Sequence, residues 1–256
     1  MLPWGKYTAG LMRAAAVAAA DLIMPPLCLA CHRPLAAHSA ICARCWAEID
    51  FIRAPLCDCL GIPLPFDIGG PMISAAAAAD PPDYDRARAV ARFDGVMREL
   101  VHDLKFRDRH DGRRLFGQWL VDAGGELLAD ADIVVPVPLT RTRLAGRRFN
   151  QSAILAQEVA QLSRRRYEPL ALLRRRRTRP QVGLSRAQRR DNVAGAFAIA
   201  DGKRQELASA KVVLVDDVIT TGATARACAR VLKRAGAARV DVLALALVTD
   251  AAFLSP

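Results

Sequence analysis

The segment VVLVDDVITTGATA, residues 212–225, constrains the fold of this chain more than any other part of its sequence. Its first four residues form an apolar run that is typical of a central strand in a parallel sheet. Two acids, Asp216 and Asp217, follow at the carboxyl end of that run, and open α/β sheets bind their ligands at this edge. A turn rich in threonine and glycine then leads into a predicted helix, so the segment predicts one strand–turn–helix unit.

The residue types in this unit indicate a sugar phosphate. Backbone N–H groups at a helix N-terminus, with threonine hydroxyls beside them, form a cradle for a phosphate dianion. Acids repel phosphate, but they suit the hydroxyls of a sugar or the water around Mg²⁺. Acids for a sugar beside N–H groups for a phosphate predict a ribose 5-phosphate site. The segment has neither a Walker A nor a GxGxxG pattern, so it does not belong to those two kinds of phosphate-binding loop. The alternative is a buried strand with solvated acids. The predicted cradle comprises Thr220, Thr221, Gly222, Ala223 and Thr224.

Apolar strands alternate with helical stretches from Arg88 onward, as they do in βαβ units. This pattern predicts an α/β domain, a parallel sheet flanked by helices, over residues 87–256. Residues 1–60 hold an N-terminal helix, from about Leu11 to Leu22, and a cysteine cluster. Residues 61–86 are rich in Gly, Pro and Ala and are interpreted as a linker or a degenerate module. The predicted strands are ARAVARF, DIVVPVP, AFAIA, KVVLVDD and VDVLALALV, and the main predicted helices are GVMRELVHDLKF, LFGQWLVDAGGELL, NQSAILAQEVAQL and ATARACARVLKRAGA.

Six of the seven cysteines lie between positions 28 and 59. Clustering in one short stretch favours metal over a disulfide scaffold. Cys28-x2-Cys31 and Cys42-x2-Cys45 have the spacing of two knuckles that hold one tetrahedral Zn²⁺. Four thiolates leave no open coordination position, so this zinc is expected to be structural.

The chain carries 37 Lys and Arg against 26 Asp and Glu, a formal charge of +11. This excess favours anionic partners, whether phosphorylated metabolites, nucleic acid or an acidic membrane surface. The sequence has no apolar run of transmembrane length. The N-terminal AAAVAAA stretch superficially resembles a signal peptide, but thiolate clusters and phosphorylated substrates belong in a reducing compartment, so a cytoplasmic location is expected.

Four ordered segments carry a family resemblance, and together with the cysteines they cover most of the chain. The 212–225 segment resembles the phosphoribosyl-pyrophosphate motif of type I phosphoribosyltransferases. The whole chain resembles the ComF family, phosphoribosyltransferase-like proteins linked to DNA uptake in competent bacteria. The resemblance implies a type I phosphoribosyltransferase fold behind a zinc ribbon. The other three segments are DRARAVARFDGVMRELVHDLKF (85–106), VPVPLTRTRLAGRRFNQSAILA (135–156) and TRPQVGLSRAQRRDNVAGAF (178–197).

The resemblance also assigns roles to residues. It implies that Asp216 and Asp217 are the catalytic acids and that Arg98 and Lys105 reach the phosphates. The implied pyrophosphate loop contains Leu139, Thr140, Arg141 and Arg143, and the implied mobile lid contains Arg177, Thr178, Gln181, Arg186 and Arg189. The alternative for the first segment is a basic surface loop, and the alternatives for the second are a solvated arginine run and a DNA-contacting patch. For Arg98 and Lys105 the alternative is a solvent-facing side of the helix. A second zinc ribbon is common in the family, but this sequence has only Cys57 and Cys59 there, which implies a degenerate ribbon without metal.

Two functions remain open from the sequence. The first is an enzyme that binds phosphoribosyl pyrophosphate with Mg²⁺ and transfers phosphoribose to an unidentified base or amine. The second is a non-catalytic accessory protein that acts on nucleic acid through its zinc ribbon and arginines, with single-stranded DNA or DNA-uptake proteins as partners. The sequence identifies neither the acceptor nor the oligomeric state.

Overall fold

The computed structural model describes residues 25–67, 69–106, 110–139, 149–175, 188 and 195–249. The predicted N-terminal helix lies outside these residues. The helices are α1 (Ala43–Ala47), α2 (Ala75–Ala79), α3 (Gly95–Phe106), α4 (Arg113–Ala123), α5 (Gly125–Leu128), α6 (Gln151–Ser163), α7 (Arg204–Leu207) and α8 (Ala223–Arg234), with a 3₁₀ turn at His110–Gly112. The strands are β1 (Ala87–Arg92), β2 (Ile133–Pro136), β3 (Arg166–Tyr167), β4 (Leu172–Arg174), β5 (Phe197–Ile199), β6 (Lys211–Ile219) and β7 (Arg239–Leu247).

Five strands form one parallel sheet in the order β1-β7-β6-β2-β3, which confirms the predicted α/β fold. β6 and β7 are its longest strands, and six of the nine residues of β6 and seven of the nine residues of β7 are apolar, as is typical of strands that helices cover on both faces. The predicted strand AFAIA is also a strand, β5, but it pairs antiparallel with β4 outside this sheet. β3 and β4 are two and three residues long, too short to leave a sequence pattern.

The connections of β2 and β6 run in opposite directions across the sheet. β2 is followed by α6 and then by its neighbour β3, whereas β6 is followed by α8 and then by its neighbour β7. Adjacent strands whose connections diverge define a switch point, and a crevice opens there beyond the carboxyl ends of the strands. The acids of the 212–225 segment lie at this crevice.

Each face of the sheet covers its own apolar core. On one face α8 packs its buried Ala225, Ala229 and Leu232 against the alternate β6 residues Val212 and Leu214. On the other face α3, α4 and α6 pack against the intervening residues, among them Val213 and Val215. The alternation follows from the two-residue period of a strand, which points successive side chains to opposite faces.

The segment before the sheet contains the same backbone turn twice. Residues 26–35 and 55–64 share three backbone hydrogen bonds and one isolated bridge, each displaced by 29 residues, as from Cys28 to Cys57. His32 and Gly61 take the same place in the two turns, both with a left-handed φ, +58° and +66°. The second turn lies so close to β1 that a Cβ at Gly61 would collide with the carbonyl oxygen of Ala87. The predicted division at residues 60 and 86 stays a prediction, and the second turn continues across position 60.

Within the described part of the chain, no helix combines the length and the apolar character that crossing a bilayer requires.

Candidate functional site

The acids lie inside β6 rather than after it, because β6 continues to pair with β7 as far as Ile219. On its other side β6 loses its neighbour at Val215, which pairs with the last residue of β2, Pro136. Asp216 and Asp217 therefore begin where β2 has ended, at the open side of the switch point. The sequence predicted this edge of the sheet but not the continuation of the strand.

Each acid is held by a side chain from a different helix. The Ser152 hydroxyl, on the first turn of α6, donates to Asp216 Oδ1 over 3.0 Å, and the backbone N–H of Asp217 donates to the same oxygen over 2.9 Å. The Lys105 ammonium, at the end of α3, lies 3.0 Å from Asp217 Oδ1. The two carboxylates thus face different partners across the crevice.

The charge of the acid pair is set by its surroundings. Burial, with the neighbouring charge of Asp217 second, raises the pKa of the Asp216 carboxyl to about 7. The backbone N–H of Asp217, the Lys105 ammonium and the Ser152 hydroxyl act against this rise by stabilising the ionised form. The raised pKa of Asp216 therefore brings the titration of this one carboxyl close to neutral pH.

The threonine-rich turn connects these acids to α8. Gly222 caps the twelve-residue helix with a left-handed φ of +71°, a conformation that glycine adopts without a Cβ penalty. The Thr221 hydroxyl oxygen is buried and has no hydrogen-bond partner within the described structure. Buried polar atoms are rarely left without a hydrogen-bond partner. The unpaired Thr221 hydroxyl beside a helix N-terminus therefore fits a site for an anionic ligand.

The remaining predicted residues fall into two groups. Leu139 is partly buried three residues past β2, while Arg98 is exposed two helical turns before Lys105, where it lines an open cleft of about 420 Å³ with His32 and His102. The others lie outside the described residues: Thr140, Arg141 and Arg143 of the implied pyrophosphate loop, and Arg177, Thr178, Gln181, Arg186 and Arg189 of the implied lid.

Two residues at the start of α6 were missed by the sequence analysis. Ser152 holds Asp216, and the Gln151 side chain donates to the backbone carbonyl of Lys105 over 3.4 Å. Both are polar yet buried, 3% and 1% exposed. The only sequence signal was a pair of polar residues opening an apolar helix, and such a pair is equally typical of an ordinary helix start.

The sulfur atoms of Cys28, Cys31, Cys42 and Cys45 all lie within 4.8 Å of one another. Burial opposes ionisation of the Cys28 thiol, but hydrogen bonds from backbone N–H groups, that of Cys42 first, outweigh it and lower the pKa to about 6. Burial and the neighbouring thiols raise the pKa of Cys45. Four sulfur atoms this close together suit tetrahedral coordination of a divalent cation, so the cluster supports the predicted structural zinc.

The second turn, residues 55–64, has the same pattern of hydrogen bonds as the first, although most of its matching positions are not cysteines. The Ser74 N–H donates to Cys57 Sγ over 3.2 Å, as the Cys42 N–H does to Cys28 Sγ over 3.3 Å. Ser74 also caps α2 through a bond from the Ala77 N–H, as Cys42 caps α1 through Cys45. The positions that match the four cysteines are Cys57, Leu60, Ser74 and Ala77. Three of them have lost the thiol, and Cys59 falls opposite Ala30, outside the ligand register.

Two known families match separate parts of the chain. Residues 19–77 match the family described as "Double zinc ribbon domain". Residues 150–252 match the family described as "Phosphoribosyl transferase domain". The second match includes α6, the acid pair and the threonine-rich turn.

Solved structures give a weaker likeness. A structure of the allosteric regulatory enzyme of purine biosynthesis shares 26% identity with a TM-score of 0.38, over 56% of this chain and 30% of that one. A glutamine phosphoribosylpyrophosphate amidotransferase from B. subtilis shares 25% identity with the same TM-score and the same coverage.

Similar proteins match between 59% and 88% of this chain. The DNA utilization protein YhgH of Salmonella typhi is 33% identical over 231 residues, 88% of this chain and 98% of that protein. Competence protein F of Haemophilus influenzae is 25% identical over 86% of this chain and 90% of that protein. Competence protein ComFC of Bacillus subtilis is 28% identical over 59% of each. The chain therefore belongs to the ComF family, which unites an N-terminal zinc ribbon with a phosphoribosyltransferase domain.

Proposed function

We propose that this protein binds phosphoribosyl pyrophosphate with Mg²⁺ in the crevice between β2 and β6 and transfers phosphoribose to a base or an amine. The unpartnered hydroxyl of Thr221, buried at the N-terminus of α8 beside the acid pair, carries this proposal. A phosphate in the turn would give that hydroxyl the partner it lacks. It would also meet the exposed end of the helix dipole.

The two halves of the site take different parts of the substrate. Residues Thr220 to Thr224 hold the 5-phosphate through backbone N–H groups and hydroxyls. Asp216 and Asp217 accept hydrogen bonds from the ribose hydroxyls, directly or through water on Mg²⁺. The metal itself would neutralise charge on the departing pyrophosphate.

No protein nucleophile is required for this chemistry. Phosphoribosyl transfer passes through a loose, oxocarbenium-like transition state, so the protein contributes mainly by positioning two substrates and by stabilising the leaving group. We assign the pyrophosphate contacts to Thr140, Arg141 and Arg143 and the exclusion of water to residues Arg177 to Arg189. Exclusion of water would protect the activated sugar from hydrolysis.

The test follows pyrophosphate release from the zinc-loaded chain incubated with phosphoribosyl pyrophosphate, Mg²⁺ and a panel of bases and amines. We expect release that depends on one acceptor. The double variant Asp216→Asn/Asp217→Asn should reduce it by at least about a hundredfold, since it removes the negative charges that strengthen the contacts with the ribose hydroxyls and with Mg²⁺. Release equal in the two proteins would overturn the enzymatic proposal.

A role with nucleic acid is the second candidate, favoured by the net charge of +11 and by relatives named for DNA utilization and competence. Lys and Arg contacts to phosphate release counterions, so affinity for single-stranded DNA should fall steeply with salt. Fluorescence anisotropy of a labelled oligonucleotide between 50 and 300 mM NaCl (roughly the range in which such release is measurable) checks this. Absence of binding, or binding that ignores salt, would remove the second candidate.

A further inference from the structure

The segment of residues 80–85 lies along α8, the helix that begins at the threonine-rich turn. Its three aspartates pair with basic residues on successive turns of that helix: Asp80 with Arg226 at 3.3 Å, Asp83 with Arg230 at 2.9 Å and Asp85 with Lys233 at 2.8 Å. The spacing i, i+4, i+7 places the three cations on one face of α8. The segment therefore follows the helix from its first turns to its last.

Both ends of this segment are held by more than ion pairs. The Arg226 guanidinium is buried and donates to the backbone carbonyls of Asp80 and Pro81 over 2.7 Å each. At the other end Asp85 exchanges two hydrogen bonds with Val240 of β7: its N–H donates to the Val240 carbonyl and its carboxylate accepts from the Val240 N–H, both over 2.8 Å. Exposed ion pairs contribute little by themselves, so these hydrogen bonds are what fixes the segment.

Tyr84 is the residue of this segment that reaches the phosphate cradle of the proposed function. It is 4% exposed and belongs to the same apolar core as Ile219 and Ala223, which lie on either side of the turn. A Cβ at Gly222 would lie 3.5 Å from the Tyr84 hydroxyl oxygen and 4.0 Å from its ring carbon Cε1. The phenol therefore packs against the glycine that caps α8.

A phosphate cradle of this kind requires several N–H groups that point to one place. Gly222 has no Cβ, so its backbone has more freedom than that of any other residue type. A buried ring in contact with the glycine limits this freedom, because close-packed interiors are barely compressible. The ring itself is held in place by a segment that is bonded to both α8 and β7.

We propose that Tyr84 is a positioning residue that keeps the Gly222 turn in the shape that binds the 5-phosphate. It acts through the turn rather than on the ligand. Tyr84 lies outside residues 150–252, the part of the chain that matches the phosphoribosyltransferase family. This inference rests on the proposed function and adds to it a dependence of the phosphate cradle on the segment that joins the second cysteine turn to β1.

The experiment compares two ligands that use different halves of the site. Isothermal titration of the zinc-loaded full chain gives the Kd for ribose 5-phosphate, which needs the cradle, and the Kd for Mg²⁺-pyrophosphate, which the acid half binds. Tyr84→Leu removes the ring that packs against Gly222. We expect it to weaken ribose 5-phosphate by about tenfold or more and to change Mg²⁺-pyrophosphate by less than about twofold, because a pre-organised site is sensitive to small displacements.

Four further variants make this result specific. Tyr84→Phe keeps the ring and should keep both affinities, and Tyr84→Met repeats the test if the leucine variant does not fold. Thr221→Val removes a hydroxyl of the cradle itself, so Tyr84→Leu should affect the two ligands in the same pattern as Thr221→Val does. Phe116→Leu is the matched control, since it removes a buried ring from the core on the other face of the sheet and should leave both affinities unchanged.

The outcomes separate this inference from the function on which it rests. Equal weakening of both ligands in Tyr84→Leu would mean that Tyr84 only supports the domain as a whole, and the inference would be overturned. Unchanged affinities in that variant would overturn it as well. Binding of neither ligand by the unmodified chain, or a Thr221→Val variant that binds ribose 5-phosphate as well as the unmodified chain, would instead refute the proposed function, and the inference with it.

Discussion

Single residues in the crevice show how a local pattern acquires its chemistry from distant partners. Two adjacent acids on a strand are ordinary in sequence. Here one is buried with a raised pKa beside a hydroxyl of α6, and the other is paired with an ammonium of α3. Asp216 and Asp217 therefore lie in different environments, although they are neighbours in the chain.

The raised pKa of Asp216 makes the stability of the protein depend on pH. The carboxyl has a pKa near 3.8 when unfolded and about 7 when folded, so the folded state binds the extra proton. Its contribution is complete below pH ~4 and is lost as the pH rises toward 7. We expect Asp216→Asn to become more stable relative to the unmodified protein over this range, with ~4 kcal/mol as the upper limit for three pKa units.

Urea unfolding of both proteins at intervals from about pH 5 to 7.5 measures this difference. Comparison at the same pH cancels the effect of acid on the zinc site, which both proteins share. A difference in unfolding free energy that does not change with pH would contradict the assignment of the raised pKa to Asp216.

At the scale of the elements, the two cysteine turns share their backbone hydrogen bonds but differ in the side chains that they enclose. The first turn brings four sulfurs together, whereas the second places Leu60 and Ala77 in the apolar core that also contains Cys57. The hydrogen bonds of the second turn persist because they join backbone groups and one cap, none of which needs a metal. Apolar packing of Leu60 and Ala77 occupies the positions at which the first turn has the sulfur atoms of Cys31 and Cys45.

The correspondence predicts that a second metal site can be restored. The triple variant Leu60→Cys/Ser74→Cys/Ala77→Cys places thiols at every position that matches a ligand of the first turn. We expect elemental analysis to find about two zinc ions per chain in this variant and about one in the unmodified protein, since four thiolates complete a structural site. Cys59→Ser is the control and should leave the zinc content unchanged, because Cys59 lies outside the register. A triple variant that stays at one ion would contradict the correspondence.

The whole molecule connects its cysteine module to the sheet through shared cores. The rings of Trp46 and Phe51 make edge-to-face contacts with Trp119 of α4 at centroid distances of 5.5 and 5.6 Å. Cys28 and Cys45 themselves lie in the core beneath α3 and α4. The buried Arg88 of β1 bonds to Asp58 of the second turn and to Glu126 of α5. The module is therefore packed as part of the domain, and α3, which carries Lys105, lies against it.

Removal of zinc should consequently affect the entire chain. We expect treatment with a strong chelator to lower the Tm of a single cooperative transition by about 10 °C or more, because the metal is bound only in the folded state. Tryptophan fluorescence should change in the same transition, since Trp46 and Trp119 are in contact. Calorimetry with and without added zinc checks this, and a domain that keeps its Tm after the metal is lost would show that the module folds independently.

The sequence by itself determined the parts that depend on neighbouring residues. The strand, acids and threonine-rich turn of residues 212–225 and the spacing of four cysteines are local patterns, and each specifies its geometry within a few turns of chain. The sequence also predicted α3 from Gly95 to Phe106 with the bounds that the structure has.

Only the tertiary structure decided which distant residues complete the crevice. Ser152 meets Asp216 across 64 positions of sequence, and Lys105 meets Asp217 because α3 and α6 pack on one face of the sheet. The sequence predicted a degenerate second ribbon at Cys57 and Cys59, but only the backbone bonds and caps show that Leu60, Ser74 and Ala77 match the other ligand positions of the first turn. Such contacts depend on how helices pack and where strands end, and no short-range pattern encodes that arrangement.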